Sequence, residues 1–247
     1  MLSIYGITIS LSIFFSILIL RSLIDKKDED IMWGMCFWLI LCGIVGARFY
    51  HVFDFWTYYE NNLLEIFKIW KGGLGIWGGI FGGIIGSSLY LKGKKQKIIS
   101  WLDKISISIP LGQAIGRWGN FFNKEILGLP TKLPWGMFVE PKNRPDNFST
   151  SSNFHPLFLY ESILCLLLFV VMIFLYKKHK EKYLGKGFFV ASYLFGYSMI
   201  RFFLDFIRIE QWEISLGNSV SLNVSQCISI LNIIIALFIF YKVRKSK

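Results

Sequence analysis

Arg117, Asn120, Asn123 and Glu125 fall within nine residues, in the run Gly116-Arg117-Trp118-Gly119-Asn120-Phe121-Phe122-Asn123-Lys124-Glu125. A permanent positive charge beside two amides and a carboxylate suits the holding of an anion, because guanidinium offers planar donors that match phosphate oxygens. The run directly follows an apolar stretch, where an ionisable group is costly unless it has a partner or a function. A lone Arg there would read as a helix-end side chain reaching for water, with Asn and Gly making the turn. The whole run is more specific than that.

A second set is Tyr197, Arg201, Asp205 and Arg208. Arg201 and Asp205 are four apart and share a helix face, and Arg208 continues it. An ion pair that steadies the helix is one reading. Two Arg in different segments, Arg117 and Arg201, also make a site for a bound anion, for which a phospholipid phosphate is the nearest candidate. His155-Pro156 precedes Tyr160-Glu161 by about a turn and a half of helix. Proline at helix entry is ordinary, so a structural and a catalytic role for His155 both stand. His51 and His179 carry less chemistry, and His179 sits among lysines.

The run Lys71-Gly72-Gly73-Leu74-Gly75-Ile76-Trp77-Gly78-Gly79-Ile80-Phe81-Gly82-Gly83 lacks the GK[ST] ending of a nucleotide loop and lies in an apolar segment. Small-xxx-small packing, for example through Gly75, Gly79 and Gly83, explains its inner part. Its outer glycines, Gly72 and Gly73, leave room for a lipid headgroup.

These residues must be positioned by membrane-spanning helices. The chain has 247 residues, 54% of them hydrophobic and 17% charged, with mean hydropathy +0.50. Windows long enough to cross about 30 Å of hydrocarbon fall at 4–24, 31–53, 73–92, 98–116, 157–176, 187–206 and 221–241. The expected fold is therefore all-α: seven transmembrane helices in a single membrane-embedded domain over 1–247. A Pro-, Asn- and Ser-rich segment at 117–156 forms a small extracytoplasmic cap of short helices or strands.

The net charge of +11 reports orientation rather than nucleic-acid binding. Sixteen of the 27 Lys and Arg lie in four clusters: Arg21/Lys26/Lys27, Lys92/Lys94/Lys95/Lys97, Lys177/Lys178/Lys180/Lys182/Lys186 and Lys242/Arg244/Lys245/Lys247. The positive-inside rule makes these cytoplasmic, with the N-terminus outside and the C-terminus inside. Tyr5, Arg48, His51, the start of the glycine run, Arg117–Glu125, His155, Tyr160, Glu161, Tyr197, Arg201, Asp205 and Arg208 then all fall toward the outer leaflet, as one outward-facing site. Cys36, Cys42, Cys165 and Cys227 lie in apolar segments without a CxxC and read as small buried hydrophobes. The first apolar segment lacks a basic n-region and a cleavage site, so it reads as a retained span.

The sequence resembles the prolipoprotein diacylglyceryl transferases over most of its length. The resemblance is carried by Tyr5-Gly6, Gly46-Ala47-Arg48, Trp70-Lys71-Gly72-Gly73-Leu74, Asp103, the Gly116–Glu125 run with Gly128, Leu133-Pro134-Trp135, His155-Pro156 with Leu159-Tyr160-Glu161, and Tyr197 with Arg201. It implies a bacterial plasma-membrane enzyme that moves the diacylglyceryl group of phosphatidylglycerol onto the lipobox Cys thiol of a prolipoprotein, with glycerol phosphate leaving. It implies neither metal nor organic cofactor. By position it assigns Tyr5, Arg117, Asn120, Glu125 and Arg201 to catalysis. Gly72, Gly73, Trp77, Gly128, His155, Tyr197, Asp205 and Arg208 go to substrate binding. Two departures stand out: many members have His where this chain has Trp77, and Glu is frequent where it has Asp205.

Arg117 and Arg201 are suited to stabilise an incoming thiolate and the charge growing on a departing phosphate. The competing reading is a non-catalytic outer-leaflet lipid binder or an anion transporter of the same architecture. Against transport, the inner halves of the spans are largely apolar apart from Asp103 and Lys104, whereas transport sites lie near the midplane.

Overall fold

The computed structural model describes residues 4–209, 213–215 and 221–245. Lys247 of the last basic cluster lies outside them. The fold is nearly all-α: α1 (Ile4–Ser22), α2 (Glu29–Asp54), the short α3 (Trp56–Tyr59), α4 (Ile76–Gly93), α5 (Ile98–Asn123), α6 (Leu157–Tyr183), α7 (Phe188–Leu204) and α8 (Val224–Lys245). Two small antiparallel ribbons complete it, β1 (Met137–Phe138) with β2 (Asn153–Phe154), and β3 (Glu213–Ser215) with β4 (Ser221–Asn223). Among the described residues, five helical segments are long and apolar enough to cross a membrane: Ile4–Ser22, Lys26–Asp54, Leu157–Tyr183, Phe188–Ile207 and Val224–Lys245. The other two expected spans coincide with α4, rich in glycine, and α5, which carries Asp103, Lys104 and Arg117.

The chain divides into two compact units, Leu23–Ile98, and Met1–Ser22 with Ile99–Lys247. In the first, α2 and α4 meet backbone to backbone. A Cβ added at Gly46 would land on the Gly78 carbonyl, and one at Gly82 on the Cys42 carbonyl. Gly79, by contrast, has room, its nearest neighbour being Ala47 Cβ at 3.6 Å. Close packing of small residues is therefore present, but the tightest row is Gly78, Gly82 and Gly86 rather than Gly75, Gly79 and Gly83.

In the second unit α5 runs on to Asn123, so Arg117 through Asn123 are helical and the segment outside the helices begins at Lys124. At the other end of α5, the fully buried Asp103 caps α7 from a neighbouring helix. Its carboxylate accepts the backbone N–H groups of Gly185, Gly187, Phe189 and Val190 at 2.8–3.1 Å. Gly187 at the N-cap, Phe189 and Val190 are among the donors the start of α7 leaves unsatisfied, and a negative charge there complements the helix dipole. The segment between α5 and α6 forms the β1–β2 ribbon and two 3-10 turns, Pro141–Asn143 and Asp146–Phe148. Leu127, Val139 and Phe154 make its small core, with Met137, Phe148 and Ile209 packed against it.

Cys36 and Cys165 are buried, as expected of small hydrophobes. Cys42 is half-buried and Cys227 exposed on α8. Exposure is no anomaly on a helix whose outward face also presents Ile234, Leu237 and Phe238.

Candidate active site

The chemistry of the larger unit centres on Glu161, in the second turn of α6. Its side chain is 2% exposed and receives both arginines: Arg117 Nη2 at 2.7 Å on Oε1 and Arg201 Nη1 at 3.1 Å on Oε2. Tyr197 Oη donates to Oε1 at 3.0 Å and accepts from Arg117 Nη2 at 3.2 Å. Arg201 Nη2 donates to Asp205 Oδ1 at 2.8 Å and approaches Ser225 Oγ at 3.4 Å. Arg208 Nη1 lies 4.0 Å from the same Asp205 oxygen. Arg117 Nη1 donates to Asn120 Oδ1 at 3.2 Å, and Asn120 Nδ2 donates to Glu125 Oε1 at 2.7 Å. One connected network thus joins α5, α6, α7 and the start of α8.

Local structure explains each placement. Arg117 and Asn120 are three apart on α5 and share a face, as do Tyr197 and Arg201 on α7, with Asp205 in the 3-10 turn that continues it. Ser162 Oγ donates to the Ala114 carbonyl at 2.7 Å, which binds α6 to α5 beside the network. Asn223 caps α8 by accepting from Ser225 N at 2.9 Å, which fixes Ser225 near Arg201. Gly119 allows α1 to approach: a Cβ there would lie 2.9 Å from the Tyr5 ring and 2.9 Å from Thr8 Oγ1. Tyr5 is thereby placed one residue from Asn120.

Three guanidinium groups face two carboxylates at the centre, Glu161 and Asp205, leaving one positive charge in excess; Glu125 is reached only through Asn120. Burial, and then the neighbouring Arg201 charge, hold Arg208 below its ordinary pKa. An added anion would relieve that. Of the five N–H groups on each guanidinium, three on Arg117 and three on Arg201 are engaged by the partners named above among the described residues. The arrangement can hold an anion between two arginines whose orientation a shared carboxylate has already set.

Gly128 has a packing role. Its added Cβ would lie 2.6 Å from His155 Cβ and 2.8 Å from the His155 carbonyl. Gly128 N donates to His155 O, Leu129 N to Ile207 O and Ile209 N to Leu127 O, so this strand stitches the cap to the exit of α7. His155 joins a different group from the arginines. Its Nδ1 lies 3.2 Å from Tyr160 Oη, which accepts from Trp135 Nε1 at 2.8 Å.

Gly72, Gly73 and Trp77 belong to the smaller unit. Both glycines have positive φ, 87° and 74°, a region open to glycine without cost. The buried Arg48 donates to the carbonyls of Gly72, Gly73, Ile66 and Glu65, and lies over the Tyr59 ring. Arg48 is thus a clasp on the 65–73 segment. Beside Gly72 there is open space, whereas a Cβ on Gly73 would meet the His51 ring at 2.6 Å. Trp77 stands in the first turn of α4, 41% exposed.

Glu161 is the residue that sequence reasoning did not assign. The signal was present: a lone carboxylate in the otherwise apolar run Leu157–Leu168 needs a cationic partner.

The profile of a family described as "Prolipoprotein diacylglyceryl transferase" matches residues 1–242. The phosphatidylglycerol--prolipoprotein diacylglyceryl transferase of Fervidobacterium nodosum is 43% identical over 210 residues, covering 83% of this chain and 70% of the relative. Proteins of the same name from Thermosynechococcus vestitus and Acaryochloris marina are 32% identical over 231 residues and 36% over 232. Each alignment covers 93% of this chain, and 84% and 82% of the respective relative.

Proposed function

The chain belongs to the prolipoprotein diacylglyceryl transferase family, and from that premise we propose that it transfers the diacylglyceryl group of phosphatidylglycerol to the lipobox Cys thiol of prolipoproteins. The observation that carries this reading is the pair Arg117 and Arg201 held on the two oxygens of Glu161. The thiolate sulfur attacks the terminal glyceryl carbon and forms the C–S bond. The C–O bond to phosphate breaks, and glycerol phosphate leaves with the electron pair. The thiol proton passes to solvent or to the departing phosphate. A thiol of pKa about 8.5 is only a few per cent ionised at pH 7, and full ionisation costs roughly 2 kcal/mol. The larger task is the charge on the leaving phosphate, which two desolvated guanidiniums are suited to stabilise.

In this reading Asn120, itself held by Glu125, holds Arg117, Tyr197 and Asp205 hold the arginines from the α7 side, and Tyr5 closes the α1 side. For Gly72, Gly73 and Trp77, in the smaller unit, the proposed role is the substrate binding that the family resemblance implies. Gly128 and His155 shape the wall of the cap, and Arg208 adds positive potential. The seven-span topology, with the N-terminus outside and the site at the outer leaflet of the plasma membrane, belongs to the same proposal, as does a single domain over 1–247.

The test is purified protein with phosphatidylglycerol and a lipobox peptide, followed by mass spectrometry. The Cys peptide gains a diacylglyceryl mass and glycerol phosphate appears in equal amount. A Cys→Ser peptide stays unmodified, because an alcohol is the poorer nucleophile near neutral pH. Lipid binding without thioether product would favour a non-catalytic lipid-binding role.

A further inference from the structure

Where α5 ends, Glu125 is held between two residues in the left-handed region, Lys124 at φ 54° and Ile126 at φ 60°. That conformation is costly for a β-branched residue, and such outliers persist where the surroundings over-determine them. Here Asn120 holds the Glu125 side chain at 2.7 Å, and Leu127 is fixed in the core of the cap. Glu125 is thereby turned into a polar hollow of about 270 Å³, lined also by Lys124, Lys142, Arg144 and Asp146. Beside it lies an apolar hollow of about 220 Å³, lined by Phe121, Phe122, Met137 and Phe138, with Lys124 common to both.

We infer that these two hollows form the subsite for the precursor peptide, taking the extended segment next to the acceptor Cys. The inference rests on the transferase reading above. Three features point to a peptide rather than a lipid phosphate. Charge in and at the rim of the polar hollow is balanced, with Lys124, Lys142 and Arg144 against Glu125, Glu140 and Asp146. A phosphate site wants a clear positive excess, while a peptide's mixed donors and acceptors suit balance. Each hollow is smaller than the roughly 300–1,000 Å³ that encloses a drug-sized ligand, and so fits single side chains of an extended chain, whose successive residues point to opposite sides. The polar hollow is also wired to the arginines: Glu125 accepts from Asn120, and Asn120 accepts from Arg117 at 3.2 Å. A chain lying there brings its neighbouring thiol toward Arg117.

The rim supplies a charge preference. Lys124 and Lys142 share one carboxylate, Glu140, at 3.1 and 3.3 Å. Their hydrogen bonds hold the exposed Glu140 carboxyl below its ordinary pKa. Lys142 is 78% exposed and can leave Glu140 for an acidic residue of the peptide. Arg144 stays with the loop, donating to the carbonyls of Val139 and Ser149 at 3.0 and 3.1 Å.

The experiment compares full-length wild type with Lys142→Glu in phospholipid micelles, using paired Cys peptides that carry Asp or Lys just after the Cys. Wild type shows the lower KM for the Asp peptide. Lys142→Glu reverses the preference, with each peptide's KM moving by about threefold to tenfold, the range for one exposed ion pair turned into a repulsion. Phe138→Ser raises KM for both peptides together. The KM for phosphatidylglycerol stays put in both variants. A shift in the lipid KM instead would assign the hollows to the lipid headgroup, and unchanged peptide preference would remove the subsite; either overturns the inference. If wild type transfers nothing, the transferase reading fails by itself, and fluorescence anisotropy of labelled Cys→Ser forms of the same peptides still reads the subsite: charge-dependent binding that Lys142→Glu reverses supports it, and no such binding overturns it.

Discussion

Replacing Glu161 by Gln removes the shared negative charge while keeping the side chain's size. The carboxylate is 2% exposed and accepts from Arg117 at 2.7 Å, Arg201 at 3.1 Å and Tyr197 at 3.0 Å. Breaking a buried ion pair from one side costs about 3–5 kcal/mol, because the remaining charge stays buried without compensation. Two guanidiniums are left here, and the new NH₂ group must face one of them. Asn120 still contacts Arg117, however, and Asp205 still holds Arg201. The lower end, about 3 kcal/mol, is therefore the working figure. Expressed in the reaction barrier, it is a loss of roughly two orders of magnitude in turnover. The assay is diacylglyceryl transfer by equal amounts of folded protein, with the unfolding midpoint measured in the same micelles. Glu161→Asp should fall between wild type and Glu161→Gln, since a side chain one methylene shorter keeps the charge but not both contacts. Turnover by Glu161→Gln within about threefold of wild type, less than 1 kcal/mol of barrier, would refute the idea that one carboxylate sets both arginines.

Gly82→Ala should lose about 1–3 kcal/mol of stability in micelles, the usual range for overpacking, because its Cβ would land on the Cys42 carbonyl. Gly79→Ala, one register away with 3.6 Å of room, should be neutral or gain up to about 1 kcal/mol from helix propensity; denaturant titration of the two side by side checks the packing row. Asp103→Asn should lower the unfolding midpoint, at about 1.5–3 kcal/mol for each hydrogen bond to charge that is lost. Its effect on either KM should be small, since the start of α7 lies about 20 Å along the helix from Arg201.

The helices were legible because long apolar runs punctuated by basic clusters leave few alternatives, and the described helices begin and end within a few residues of those runs at most boundaries. The exit of α5 differed. The span was expected to end at 116 with the cap beginning at 117, yet the helix continues to Asn123, and its glycines serve the approach of α1, most closely at Gly112 and Gly119, rather than a break. The glycine row on α4 was visible as composition, but which face meets α2 depends on how α4 is rotated against it, and spacing alone allows two registers. Arg117, Arg201 and Asp205 were legible as a set from their types and spacing. Glu161 was harder, because its partners are 44 and 40 residues away in sequence, and no local pattern pairs residues at that distance. His155 illustrates the converse: a residue type rich in chemistry whose ring the fold pairs with Tyr160.

The most direct test of the account's central claim is the turnover of Arg117→Ala and Arg201→Ala, measured with phosphatidylglycerol and a lipobox peptide on equal amounts of folded protein. Each should lose about 10²–10³-fold or more, the scale for removing donors aimed at developing negative charge. Arg→Lys at either position should restore little, because a point charge cannot reproduce the planar fork that grips Glu161 and a phosphate together. Trp77→Ala should be milder than any of these. Near-normal turnover in both Arg→Ala proteins would contradict the account, whatever the wild-type protein transfers.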